Sequence, residues 1–259
     1  MEQDPLIIFG VASAAALASP LGGLIAVWAR PSSLLLSIAV GFAAGVLLGT
    51  FAFEMMPKSL ELTSVPVVAA GFVLGLALVY FLDLYVNRWR MAGEEADQKR
   101  AVEQLHRRKK PRGSGVAVLA GGTSAEELIE GMAIGVGAAF EPGVALIVGL
   151  AICIDNLSEG MSIGELAFDE EQKNPKWRIL GWTSLIGVSL FVSAVAGWFF
   201  LKGLSEPVLG FLFAAGAGGM FYLTMTDLVP EAESHQFQQS SALANAMGFL
   251  LIMALTEMI

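Results

Sequence analysis

The chain has 259 residues, 55% of them hydrophobic and 15% charged, with a formal net charge of −9. So low a charged fraction excludes an ordinary soluble domain, in which roughly 25% of residues are charged. The single Cys153 excludes an internal disulfide framework.

Apolar runs long enough to cross a bilayer recur from end to end. The first spans residues 5–29. Glu2 and Asp4 precede it, with no Lys or Arg, and it is longer than the apolar core of a signal peptide. It is read as a retained helix with its N-terminus outside. Arg30 follows, then spans over 32–57 and 65–87. Residues 88–113 form the one long connection, polar and strongly basic. Further spans cover 114–140 and 143–168, joined by the turn signal Glu141-Pro142-Gly143, and then 178–201, 206–231 and 240–258. Eight spans make a single all-α, polytopic transmembrane domain over residues 1–259.

The charges are sorted by loop. Of the 15 Lys and Arg residues, 13 fall in the loops after the first, third and fifth spans, and only Lys58 and Lys202 lie on the opposite side. The positive-inside rule makes the basic side cytoplasmic and puts both termini outside. Residues 88–113 therefore read as a topology signal rather than a nucleic-acid patch. His106 lies there among cations, which disfavours a metal role.

The fourth and fifth spans carry the chemistry. Glu126-Glu127-Leu128-Ile129-Glu130-Gly131-Met132 returns 29 residues later as Asp155-Asn156-Leu157-Ser158-Glu159-Gly160-Met161. Glu126 with Glu130, and Asp155 with Glu159, stand four apart and so share a helix face. Each motif lies some 18–20 Å from the turn at about 1.5 Å per residue, near the middle of a roughly 30 Å hydrocarbon core. The two acid pairs should meet at one depth. Intramembrane carboxylates are functional candidates by default, and no Lys or Arg lies inside the spans to neutralise them. The bland alternative, acids held only by hydrogen bonds to Ser, Thr and backbone carbonyls, must tolerate five uncompensated carboxyls. Hard oxygen donors in this number suit divalent cations. Glu126, Glu130, Asp155 and Glu159 are the expected metal ligands, with Glu127 and Asn156 as second-site or bridging groups. Met132, Met161 and the glycines after each acid are expected to serve helix packing.

A weaker echo joins the second and seventh spans. Gly41-Phe42-Ala43-Ala44-Gly45 leads to Glu54-Met55-Met56-Pro57, and Gly210-Phe211 with Ala214-Ala215-Gly216 leads to Asp227-Leu228-Val229-Pro230. Five crossings separate them, so they run in opposite directions, as in an inverted repeat.

The paired motifs resemble the metal-binding helices of the ZIP (Zrt/Irt-like) divalent metal transporters, whose pattern is His-Asn-x-Pro-Glu-Gly. Gly45-Val46-Leu47-Leu48-Gly49 leading to Pro57, Gly71-Phe72-Val73-Leu74-Gly75-Leu76, and Asp227-Leu228-Val229-Pro230-Glu231-Ala232 resemble further family signatures. Counted back from Gly131, the family His falls on Glu126, its Asn on Glu127 and its Pro on Ile129, while Glu130 is retained. In the next helix Asp155 and Asn156 fall at ligand positions, Glu159 is retained, and Ser158 stands where Pro is common. The second-helix His falls on Glu54. The missing prolines bear on the helix break that would free backbone carbonyls for the ion.

The resemblance implies a 3+2+3 bundle, a homodimer, and transport of divalent metal as substrate (zinc, iron, manganese, cobalt or cadmium) with no organic cofactor. The partners are the ion and the lipid of a cytoplasmic or inner membrane, with no nucleic acid. Uptake into the cytoplasm is expected. All-oxygen ligands shift preference towards manganese or ferrous iron without excluding zinc. Glu54, Glu165, Asp227 and Glu231 are pathway candidates, with Asp169, Glu170 and Glu171 extending an acidic ladder from Glu165. The competing reading is a cation/proton antiporter or proton channel using the same acids. An enzyme is not expected, since no His-Glu-x-x-His motif occurs.

Overall fold

A computed structural model describes residues 5–86, 115–169, 174–234 and 237–258. The basic segment 88–113, with His106, and the acids Glu170 and Glu171 lie outside the described residues. Within them the chain forms eight long helices and no strand. They are α1 (Pro5–Ala29), α2 (Ser33–Leu62), α3 (Val65–Val86), α4 (Gly115–Phe140), α5 (Pro142–Asp169), α6 (Pro175–Leu201), α7 (Glu206–Glu233) and α8 (Gln238–Thr256). Seven are long and apolar enough to cross a membrane. The eighth, α4, has 26 residues, or about 39 Å of helix, but carries Glu126, Glu127 and Glu130 within little more than one turn.

The arrangement is an inverted repeat. α1 packs on α5 and α6, α4 on α6, α5 and α7, α2 on α8 and α5, and α3 on α7. Exchanging α1 with α6, α2 with α7, α3 with α8 and α4 with α5 maps these neighbours onto themselves. The chain is thus three helices, a central hairpin, and three helices again. Contact between apolar helices in lipid rests on close packing of small residues, and the motif glycines supply it. A Cβ on Gly160 of α5 would stand 2.2 Å from the Ser19 carbonyl oxygen of α1. At the equivalent Gly131 of α4 it would stand 1.9 Å from Ser193 Oγ and 2.5 Å from the Leu190 carbonyl oxygen of α6. These glycines set how closely α4 and α5 approach their neighbours.

The repeat also duplicates a backbone device. α2 widens into a π turn over Thr50–Met55, and α7 does so over Thr224–Leu228. Each opens on a threonine whose hydroxyl donates back one turn, Thr50 to the Val46 carbonyl at 2.9 Å and Thr224 to the Met220 carbonyl at 2.8 Å. Such back-bonding bends helices. Pro57 and Pro230 then fall in the first turn of the segment that follows, where a missing N–H costs no bond. For that reason α2 does not end at Pro57, as its sequence suggested, but continues to Leu62.

Among the described residues the buried apolar side chains form two unequal clusters along the helix axes. The half holding the α4–α5 turn, here the turn side, contains the larger apolar core. Ala133, Ile134, Val136, Ala138 and Ala139 of α4 pack there with Val144, Ile147 and Val148 of α5 and with Leu209 and Phe213 of α7. The opposite half, here the loop side, holds among the described residues a smaller cluster of Val27, Ile163, Ala167, Ile179 and Ile186.

Candidate metal centre

α4 and α5 run unbroken through their acid motifs. Ile129 and Ser158, standing where the family pattern has proline, leave the helical hydrogen bonds in place, so carbonyls are not freed there. Side chains must therefore supply the polar lining. Because the hairpin is tight and Glu130 and Asp155 lie 12 and 13 residues from Pro142, the acids of both helices converge. Glu126, Glu127, Glu130, Asp155 and Glu159 line one cavity of ≈ 10 Å³ together with Thr123, Leu223 and Leu228. That is about the space of one water or ion.

The lining acids are well removed from bulk solvent. Glu127, Glu130 and Asp155 are 1%, 5% and 6% exposed, and Glu126 and Glu159 are half-buried. Among the described residues no basic side chain lines the cavity. Thr123 stands within hydrogen-bonding reach of Glu159. One carboxylate oxygen of Glu130, Oε2, is buried with no hydrogen-bond partner among the described residues. Burying a carboxylate without compensation costs several kcal/mol, so five together need a cation or protons. Among the described residues no three Asp, Glu, His or Cys side chains already surround a single point as metal ligands. The carboxylates share a cavity without closing a cage.

Asn156 takes a different place from the acids. It is fully buried but absent from the cavity lining. Its Nδ2 donates to Glu127 Oε2 at 3.3 Å and to the Ala15 carbonyl of α1 at 3.4 Å. Glu127 and Asn156 hold equivalent positions in the two motifs, so the repeat brings them together across the hairpin. Ser193 of α6 donates to the Glu127 carbonyl at 3.1 Å. Met132 and Met161 stay out of the lining.

The pathway candidates separate into two groups. Asp227, in the π turn of α7, and Glu231 beyond it act electrostatically on Glu126, as does Asp83 of α3. Tyr222 donates to Asp83 Oδ2 at 2.7 Å, joining α7 to α3. Neither Asp83 nor Tyr222 is among the candidates read from the sequence, although a charge near the end of the third apolar run is a signal for Asp83. Glu54 instead lies on the turn side, 3% exposed, beside Thr256 and within reach of Lys58, Glu141 and Glu61. It does not touch the cavity. Glu165 is half-buried on α5, also outside the lining.

Comparison with known proteins places the chain among metal transporters. The model of the ZIP zinc transporter family matches residues 6–117 and 95–257. The zinc transporter ZupT of Corynebacterium efficiens is 30% identical, with 97% of this chain and 96% of that protein aligned. ZupT of Corynebacterium glutamicum is likewise 30% identical over 97% and 98%. The bovine zinc transporter ZIP11 is 26% identical over 84% of this chain and 86% of its own. With matches running through both halves of the inverted repeat and the acidic hairpin between them, the chain belongs to the ZIP zinc transporter family.

Proposed function

We propose that this protein carries divalent metal ions across a cytoplasmic membrane through the cavity between α4 and α5. The observation behind this reading is that five carboxylates from two antiparallel helices line one cavity, with no basic side chain beside them among the described residues. Zinc is the substrate named for the relatives, and it heads the proposed range. Manganese and ferrous iron follow, because the donors here are oxygens without an imidazole. Glu126, Glu130, Asp155 and Glu159 bind the ion, Glu127 bridges, and Asn156 either ligates in its turn or holds Glu127 in place. Asp83, Asp227 and Glu231 receive the ion on the loop side, which the positive-inside rule makes cytoplasmic. Transport is inward, both termini are outside, and the working unit is a homodimer.

Occupation by a dication would draw the carboxylates inward and displace any protons they share. The decisive experiment is metal-by-metal uptake into proteoliposomes enclosing a pH-sensitive dye. Saturable zinc uptake with manganese as a competitor is expected. Proton flux that continues without any metal requirement would instead establish the proton-conducting alternative.

A further inference from the structure

The turn-side end of α2 is fastened to the metal-binding hairpin by one lysine. Lys58 follows the π turn and Pro57, and its Nζ lies 2.8 Å from Glu141 Oε2 and 3.2 Å from Glu61 Oε2. Glu141 is the residue that links α4 to α5, held by its N–H to the Gly137 carbonyl at 2.9 Å. Glu54, one helical turn before Lys58, lies buried behind the pair and within its electrostatic reach. A single ammonium thus balances three carboxylates where α2 meets the tip of the hairpin. Beneath it the turn-side core separates this group from the central cavity, with the Phe140 and Phe213 rings 5.2 Å apart.

We propose that the Lys58–Glu141 ion pair is the latch of a turn-side gate. In this structure the latch is closed. When the pair breaks, α2 beyond its π turn swings away from the hairpin and exposes Glu54 and the route to the cavity. The chemistry fits a gate rather than a pillar. The side chains are 27% and 47% exposed, and a partly hydrated ion pair is weak enough to open and close. The π turn supplies the hinge, since such turns break the regular ladder and recur at functional sites. An arriving dication can compete with the ammonium for the same three carboxylates. That the moving ion is a metal rests on the transport function proposed above; the latch itself does not.

The test reads accessibility and not transport. In the full-length protein with Cys153→Ser, a reporter thiol at Ala138→Cys lies in the wall of the turn-side core, where Ala138 is 6% exposed. Its rate of modification by a membrane-impermeant maleimide is measured in sealed vesicles from the turn side. Lys58→Gln and Glu141→Gln should each raise that rate severalfold, and the exchange Lys58→Glu with Glu141→Lys should return it towards the parent. Each variant is first matched to the parent in thermal melting and elution volume, with Lys58→Arg, which keeps the charge, as the control. Rates unchanged in the Gln variants, or raised equally by Lys58→Arg and by the exchange, would overturn the latch. A protein that moves no metal but whose accessibility follows the pair would retain the latch and defeat the transport reading.

Discussion

The two π turns share a design and differ in their surroundings. Glu54 in α2 and Asp227 in α7 each stand three residues before a proline, inside a wide turn that opens on a back-bonding threonine. The α7 turn flanks the cavity, which Leu223 and Leu228 help to wall, and Asp227 sits there with Asp83, Thr226 and Glu231. The α2 turn contributes nothing to the lining. Its acid is shut behind an ion pair on the turn side, above an apolar core. The repeat thus supplies two acidic π turns, only one of which adjoins the cavity among the described residues. In the transport proposed above, the face that communicates with the cavity is set by what packs around each turn. Alternating access in such folds is an exchange of these surroundings about a fixed site.

Several substitutions would break or sharpen this contrast. The largest effect is expected at the fixed site. Glu130→Ala combined with Glu159→Ala removes one acid from each motif, and zinc uptake should fall to background while the protein still elutes and melts as a folded species. Near-normal uptake by the purified double mutant would remove the site assignment.

Next comes the packing that holds the site between the halves. Gly160→Val would drive a side chain into the Ser19 carbonyl, only 2.2 Å from a Cβ. Backbone cannot yield as a side chain can, so a loss of at least about 1–3 kcal/mol is expected, seen as a clearly lowered melting temperature. A melting temperature equal to that of the parent would mean that α1 and α5 do not approach this closely.

Asp227→Asn tests the hinge that faces the cavity. It should lower the maximal transport rate by about tenfold, equivalent to ~1.4 kcal/mol in the barrier, with a smaller change in zinc affinity. A mutant whose affinity falls while its rate holds would make Asp227 a ligand and not a pathway residue.

The ligand change at position 126 should alter selectivity more than rate. Glu126→His adds a nitrogen donor next to the α7 acids, and zinc gains more from nitrogen than manganese does. Uptake with both ions in competition should shift towards zinc, and an unchanged or reversed ratio counts against the oxygen-site argument. Glu165→Gln should have the smallest effect, a modest slowing at saturating metal with central affinity preserved. Equal rates would leave Glu165 as an ordinary acid near the helix end.

Much of this was legible before any coordinates. The eight helices follow from runs of apolar residues, because the bilayer requires every backbone group to be bonded within its own segment. The five carboxylates that line the cavity stood out because a charge in such a run is costly and because the motif occurs on both sides of one turn. The role of the motif glycines followed from the same packing logic, and their contacts bear it out. Helix continuation past Pro57 was not legible, since a one-residue widening leaves no mark in hydrophobic pattern. Asp83 was missed because its importance comes from Tyr222 on a helix well over a hundred residues away.

What the sequence determined by itself was therefore periodic or local: the long apolar helices, the multi-pass membrane class, the acid motifs on both sides of one turn, and the duplicated acid–proline segments. The tertiary structure alone decided which acids share a cavity and which do not. It turned Asn156 from the lining towards Glu127 and α1, separated Glu54 from the site that Asp227 adjoins, and paired Lys58 with Glu141. These are contacts between helices distant in sequence. They depend on how closely small residues let the helices approach, and no single span carries that information.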